Sequence, residues 1–195
     1  IATYYVLIYM GYAGYVSYIG LYYSSLGLDP ASIGMISAAG SFIGLVSQPL
    51  WGSISDRSKS KNRILRLILL MAALTIWFLP LSGKMFWLIV ASTAGFNFFY
   101  SSVIPLGDSI VLELARSGRF KYSSVRTFGS VGYAVMAAVY GKIFSININY
   151  IFVMFSSLWI ISFFVSFLIP KVRGHNTGEN NVSYMELFKD RKLIY

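Results

Sequence analysis

Charge is absent from most of this chain and gathered in three places. Uncharged stretches cover Ile1–Leu28, Pro30–Ser55, Leu67–Gly83, Met85–Gly107, Thr127–Gly141 and Ile143–Pro170. A bilayer core about 30 Å thick is crossed by about 20 apolar helical residues. The last two stretches are parted only by Lys142, and Gly141, Asn147 and Asn149 mark a turn near it. The pattern predicts six spans, roughly 2–25, 32–54, 64–82, 86–112, 124–145 and 150–169, which makes the fold class an all-α membrane protein. The chain is 56% hydrophobic and only 12% charged. An ordinary soluble domain carries about 25% charged residues, so there is too little charge here to clothe a water-facing surface.

The formal net charge of +9 would point to nucleic acid in a soluble protein. Placement decides otherwise. Arg57, Lys59, Lys61, Arg63 and Arg66 follow span two; Arg116, Arg119, Lys121 and Arg126 follow span four. Lys171, Arg173, Lys189, Arg191 and Lys192 follow span six, and only Lys84 and Lys142 fall elsewhere. Basic residues in alternate loops mark the cytoplasmic side, so loops 55–66, 115–124 and 170–195 are expected there. The positive charge is a topology device, and no nucleic-acid partner is expected.

Ile1 is not an initiator Met, and no basic segment or small-residue cleavage site accompanies the first apolar run. A signal peptide is therefore not expected. Residues 1–170 are expected to form a six-helix N-terminal domain. Residues 171–195 form a cytoplasmic interdomain loop, with Ser183–Tyr195 an amphipathic lead-in to a seventh span. The chain is thus expected to be part of a larger membrane protein whose C-terminal half is absent. His175, between Gly174 and Asn176, reads as a solvated loop residue, and Asn181-Val-Ser183 on the cytoplasmic side carries no glycosylation meaning.

Spans two and five share a glycine pattern. Gly40-Ser41, Gly44 and Gly52 match Gly129-Ser130, Gly132 and Gly141 at an offset of 88 or 89 residues. This either relates spans one to three to spans four to six or reflects close helix packing through small residues. Three spans reverse direction, so a true repeat would be inverted in topology, an arrangement typical of secondary transporters.

Asp108 interrupts span four. A carboxylate at a helix centre costs about 2.5–3.5 kcal/mol on insertion scales. Asp108 and Arg126 lie equally far on either side of Ser117, so a helical hairpin brings them to similar depth. At about 1.5 Å per residue, Asp108 sits on the order of 10 Å inside the span's end. The pair either faces an aqueous cavity and binds a polar solute, or is a structural ion pair, or Arg126 snorkels to the headgroups. Glu113 lies one turn from the loop and three residues before Arg116, which predicts a local pair. In span one, Tyr5, Tyr9 and Tyr12 fall on one arc and Tyr15, Tyr18 and Tyr22 on another. One arc could line a polar cavity; tyrosines near the ends could equally be interfacial anchors.

Gly52-Ser-Ile-Ser-Asp56-Arg57 resembles the loop between spans two and three of the major facilitator superfamily. Where the family continues with a glycine and two basic residues, this chain has Lys59, Ser60 and Lys61. The resemblance implies a twelve-span transporter of two six-helix halves, and assigns Gly52, Asp56 and Arg57 to its gating loop and charge relay. Gln48-Pro-Leu-Trp-Gly, Pro105 before Asp108, and Val125-Arg126-Thr-Phe-Gly-Ser-Val-Gly132-Tyr133 are similar to the lactose-permease-like oligosaccharide–proton symporters. Gly95-Phe-Asn-Phe-Phe-Tyr-Ser and Pro105-Leu-Gly-Asp108 resemble the related phenylpropionate-permease branch.

The likeness runs through Phe188. It places the family's sugar-contacting acid at Asp108, its arginine at Arg126 and its ring-stacking aromatic at Tyr133, with Ser130 one turn earlier. Asp and Tyr stand where the lactose-permease group has the larger Glu and Trp, so lactose itself is not implied. The resemblance implies proton-coupled symport of a small polar solute, a sugar first, by alternating access in the cytoplasmic membrane. A nucleoside or an aromatic acid is the second expectation, and an exporter of the same fold shares the topology. The expected partners are the solute, membrane lipid and the C-terminal half; no metal or cofactor is expected, the proton gradient supplying energy. No enzyme is expected, because the only His is His175 and neither G-x-S-x-G nor H-E-x-x-H occurs.

Overall fold

The structure, a computed structural model, describes residues 1–116, 118 and 120–174. Among these residues all regular structure is helical: α1 (Ala2–Ser25), α2 (Pro30–Asp56), α3 (Lys61–Thr75), α4 (Phe78–Leu81), α5 (Phe86–Ala115), α6 (Tyr122–Ile146) and α7 (Tyr150–Val165), the last followed by a 3-10 turn, Ser166–Leu168. His175, the 181–183 sequon and the lead-in to a further span lie outside the described residues, as do Ser117 and Arg119 in the α5–α6 loop.

Among the described residues, five helical segments are long and apolar enough to cross a membrane: α2, α3 with α4, α5, α6, and α7 with its 3-10 turn. The exception, α1, has 24 residues, enough for a span. Its eight tyrosines lower its hydropathy, and the same tyrosines are its packing surface. Ten of its residues are buried, among them Tyr4, Tyr5, Tyr9, Tyr15, Tyr22 and Tyr23. The rings of Tyr15, Phe96, Tyr100, Phe155 and Trp159 interlock with centroids 4.3–6.0 Å apart. That is the range in which aromatic pairs attract beyond their buried area.

Helix ends differ from the expected span limits for local reasons. α2 begins two residues early because Asp29 caps it, accepting from the Ala31 and Ser32 backbone N–H groups at 3.1 and 3.3 Å, with Pro30 in the first turn. The Ser32 hydroxyl and these N–H donors hold the Asp29 carboxyl below its usual range. The third span breaks after Thr75. Pro80 has no N–H for the Ile76 carbonyl, and bonding there tightens to Trp77 N–H on Leu74 and Leu79 N–H on Ile76, each 3.2 Å. α5 and α6 each extend past the expected limit at the basic end, leaving a short loop between them.

The packing is symmetric in a way that bears on the glycine pattern. α2 runs along α5, and α6 runs along α1. A Cβ on Gly40 would lie 2.8 Å from Asn97 Nδ2, and one on Gly44 would lie 3.2 Å from Ser101 Cβ, both across the α2–α5 contact. On the other pair, a Cβ on Gly129 would lie 2.8 Å from the Tyr9 ring, and one on Gly132 would lie 3.2 Å from the Val6 carbonyl of α1. The second span thus packs on the fourth through its glycines as the fifth packs on the first. Exchanging spans one to three with four to six maps one contact onto the other, as an inverted repeat requires.

Residues 169–174 return to the basic end and dock on the α2–α3 turn. The amide of Asn62, a fully buried side chain, donates to the Ile169 and Pro170 carbonyls at 3.3 and 3.0 Å and accepts from Val172 N–H at 2.8 Å. Lys61 N–H donates to the Val172 carbonyl and Gly174 N–H to that of Ser58. One side chain therefore satisfies three backbone groups that burial would otherwise leave unpaired, at about 1–3 kcal/mol each.

Candidate functional site

Two helices with internal prolines, α2 with Pro49 and α5 with Pro105, form one wall of an open cavity of ≈ 590 Å³. Its other wall is α1, through Tyr9 and Tyr12, and α6, through Arg126. The prolines matter to its chemistry. Each lacks an N–H, so the carbonyls of Leu45 and Ser101, both on cavity-lining residues, lose their helical donor. The remaining lining is mostly polar or small: Gly40, Ser41, Gly44, Gln48, Asn97 and Tyr100.

The hairpin of α5 and α6 brings Asp108 and Arg126 together. Arg126 Nη1 donates to both carboxylate oxygens of Asp108, at 3.0 and 2.8 Å. Tyr5 adds a third bond from α1, its hydroxyl 2.5 Å from Asp108 Oδ1. The guanidinium carbon lies 5.0 Å from the centroid of the Tyr9 ring, within range of a cation–π contact, and Tyr122 is hydrogen-bonded to the pair. Of the arc Tyr5, Tyr9 and Tyr12, the last two line the main cavity, and Tyr5 is buried against Asp108. Of the other arc, Tyr18 donates to the Ala137 carbonyl at 2.7 Å and Tyr22 packs edge-on against Phe152.

The two members of the pair are not equivalent. The Arg126 side chain is 39% exposed and lines the main cavity, whereas Asp108 is 21% exposed and lines an adjoining one of ≈ 330 Å³ with Ser109, Glu113 and Arg116. Asp108 sits behind the guanidinium and fixes it. Both protons of Nη1 go to Asp108, so the other nitrogens of the five-donor fork remain for Tyr122 and for a solute.

Tyr133 and Ser130 stand further off. The Tyr133 ring is tilted against Tyr12 at 6.1 Å, and its hydroxyl meets Ser17 Oγ at 3.1 Å. Ser130 is exposed and donates to the Arg126 carbonyl of its own helix at 3.3 Å. Neither lines the main cavity.

At the basic end, the base paired with Asp56 is Lys61. Its Nζ lies 3.0 Å from Asp56 Oδ1, 3.5 Å from Glu113 Oε2 and 3.4 Å from Ser109 Oγ, while the side chain is only 2% exposed. Arg57 instead ends α2 as its C-cap, its N–H on the Ser53 carbonyl at 3.1 Å. Glu113, expected to pair locally with Arg116, reaches across to α3. Gly52 and Asp56 line a small recess of ≈ 100 Å³ with Gln48, Pro105 and Ser109, just below the main cavity. No sequence signal distinguished Lys61 from its four basic neighbours. Among the described residues, no three His, Cys, Asp or Glu side chains converge as a metal site would need.

Relatives share this architecture. The chain is 27% identical over 182 residues to the probable 3-phenylpropionic acid transporter of Escherichia coli strain K12, covering 90% of this chain and 46% of that protein. It is 26% identical over 183 residues to the lactose permease of Citrobacter freundii, covering 85% and 44%. A mutant form of the nucleoside transporter NupG superposes with a TM-score of 0.83 at 15% identity, covering 99% of this chain and 51% of that one. The chain thus spans about half the length of the curated relatives it matches, and its helices match the N-terminal six-helix half of the fold. The relatives named are transporters or permeases, not enzymes. Residues 1–194 match the MFS_1 like family, and the chain belongs to that family, within the major facilitator superfamily.

Proposed function

We infer that this chain is the solute-binding N-terminal half of a proton-coupled symporter of the cytoplasmic membrane, carrying a small, polar, uncharged solute, a sugar first. The observation that carries this reading is the Arg126 fork, held by Asp108 and presented to a cavity of ≈ 590 Å³, a volume in the range of small-molecule sites. Because the Asp108 carboxylate already neutralises Arg126, the site has no net charge left for an anion. That favours hydroxyl-bearing solutes over carboxylates. Arg126 donates to solute oxygens, Asp108 positions it, and Tyr12, which lines the cavity with Tyr133 tilted against it, supplies a ring face. Ser130 supports the Arg126 turn of α6. Alternating access moves this half against its partner about the site, with Gly52, Asp56 and the turn that follows as the gate, the basic loops facing the cytoplasm. The proton gradient supplies the energy, and no resident cofactor takes part.

A nucleoside is the second reading, supported by the superposition on a nucleoside transporter. It, too, is neutral, with a ring to stack and hydroxyls to bind. Uptake of labelled maltose, lactose, uridine and 3-phenylpropionate into energised vesicles containing the full-length protein tests both. Uptake of a neutral solute that an uncoupler abolishes is expected. Uptake of 3-phenylpropionate alone would overturn the neutral-solute reading.

A further inference from the structure

Beyond the cavity's far end from the ion pair lies a second recess of ≈ 260 Å³, lined by Tyr15, Tyr23, Ser37, Ser41, Thr93 and Asn97 among others. It is continuous with the main cavity, since Gly40, Ser41 and Asn97 line both. Gly40 makes the junction, because a Cβ there would lie 2.8 Å from Asn97 Nδ2 and 3.1 Å from Thr93 Cγ2. We propose that this recess is a second subsite, one that accepts hydrogen bonds and binds the donor groups (hydroxyl or N–H) at the end of the solute away from Arg126. The proposal rests on the reading of the Arg126 cavity as a solute site.

The bonding of the wall gives it this polarity. Ser37 spends its proton on the Ile33 carbonyl and Ser41 on that of Ser37, each at 2.9 Å. One N–H of the Asn97 amide donates to the Thr93 carbonyl, also at 2.9 Å, and the Asn97 side chain is hydrogen-bonded to Tyr15 as well. Each serine has committed its only proton to its own helix, so what it offers outward is oxygen lone pairs, and Asn97 adds its amide oxygen. The Leu45 and Ser101 carbonyls, which lose their helical donor to Pro49 and Pro105, belong to residues that line the adjoining stretch of the main cavity. At the opposite end the Arg126 guanidinium offers only donors. The cavity thus has a donor end and an acceptor end, and a solute must answer both.

Length limits the solute as well. Asn97 and Asp108 are eleven residues apart on α5, about 16 Å along its axis, and the Arg126 side chain closes part of that distance. The separation suits a neutral solute of two linked rings, with acceptors at one end and donors at the other.

Single O-methyl ethers test the proposal, because a methyl group removes one hydroxyl proton and keeps the oxygen. In full-length protein, maltose, lactose and uridine and their mono-O-methyl ethers compete for uptake of whichever parent is carried. In the wild type, one ether is expected to raise the half-inhibitory concentration about tenfold. In Ser41→Ala or Asn97→Ala that penalty should shrink to less than about threefold, since the acceptor facing the lost proton is gone. This coupling between residue and ligand group does not depend on how well each variant expresses. An ether penalty that persists at full size in both variants, or no penalty from any ether, overturns the subsite and leaves the Arg126 site standing. If the wild type carries none of the three parents, the neutral-solute reading itself falls, and the subsite with it.

Discussion

Arg126→Lys is expected to reduce uptake efficiency by at least about a hundredfold without loss of the folded protein. Lysine keeps the charge but has no planar fork, so it cannot hold Asp108 through one nitrogen and a solute through another. Two charge-assisted hydrogen bonds at about 1.5 kcal/mol or more each correspond to that factor. Asp108→Asn should act through KM, because Asp108 holds the fork from behind and makes its third bond to Tyr5. Asp108→Glu, one methylene longer, should restore much of the affinity. Purely structural roles would give another pattern: Lys tolerated at 126, and both Asp108 variants lowering protein yield without changing KM.

The second large effect concerns stability. Lys61 is 2% exposed, whereas Asp56 and Glu113 are 44% and 30% exposed. Removing both carboxylates with Asp56→Asn and Glu113→Gln strands a buried ammonium, a change that costs about 3–5 kcal/mol where such pairs have been broken. The midpoint of thermal unfolding in detergent should fall by several degrees. Lys61→Met should cost less than half as much, because the two half-open carboxylates can turn to water and the methionine fills the space. Equal losses in the two proteins would mean that the cluster acts through packing alone. The cluster also ties α2, α3 and α5 at one point, and residues 169–174 bind the same turn through Asn62. Motion of the turn must therefore carry the segment after α7 with it.

Six spans followed from charge placement, because hydrophobic thickness acts over whole segments. The Asp108–Arg126 pair followed from two residues equidistant from a turn, a one-dimensional relation that a hairpin turns directly into depth. Lys61 did not follow. In a cluster of five bases every member reads as solvated, and its burial depends on α5 and on a segment more than a hundred residues later. Tyr5 was one of eight tyrosines with no local mark to single it out. The acceptor wall was hidden for a different reason: Ser37, Ser41 and Asn97 are ordinary helix residues until their protons are followed to their own backbone. Tyr133 and Ser130 came from resemblance; they share a face of α6 with Arg126 but lie about two turns and one turn further along it, and of the three only Arg126 lines the main cavity.

Solute-driven proton entry tests the central claim most directly. Full-length protein in liposomes holding a trapped pH indicator, with no pH gradient imposed, receives an inward gradient of whichever neutral solute it carries. The account predicts acidification of the lumen that follows solute entry and is lost in Arg126→Lys. Solute entry with no pH change, or with alkalinisation of the lumen, would contradict it.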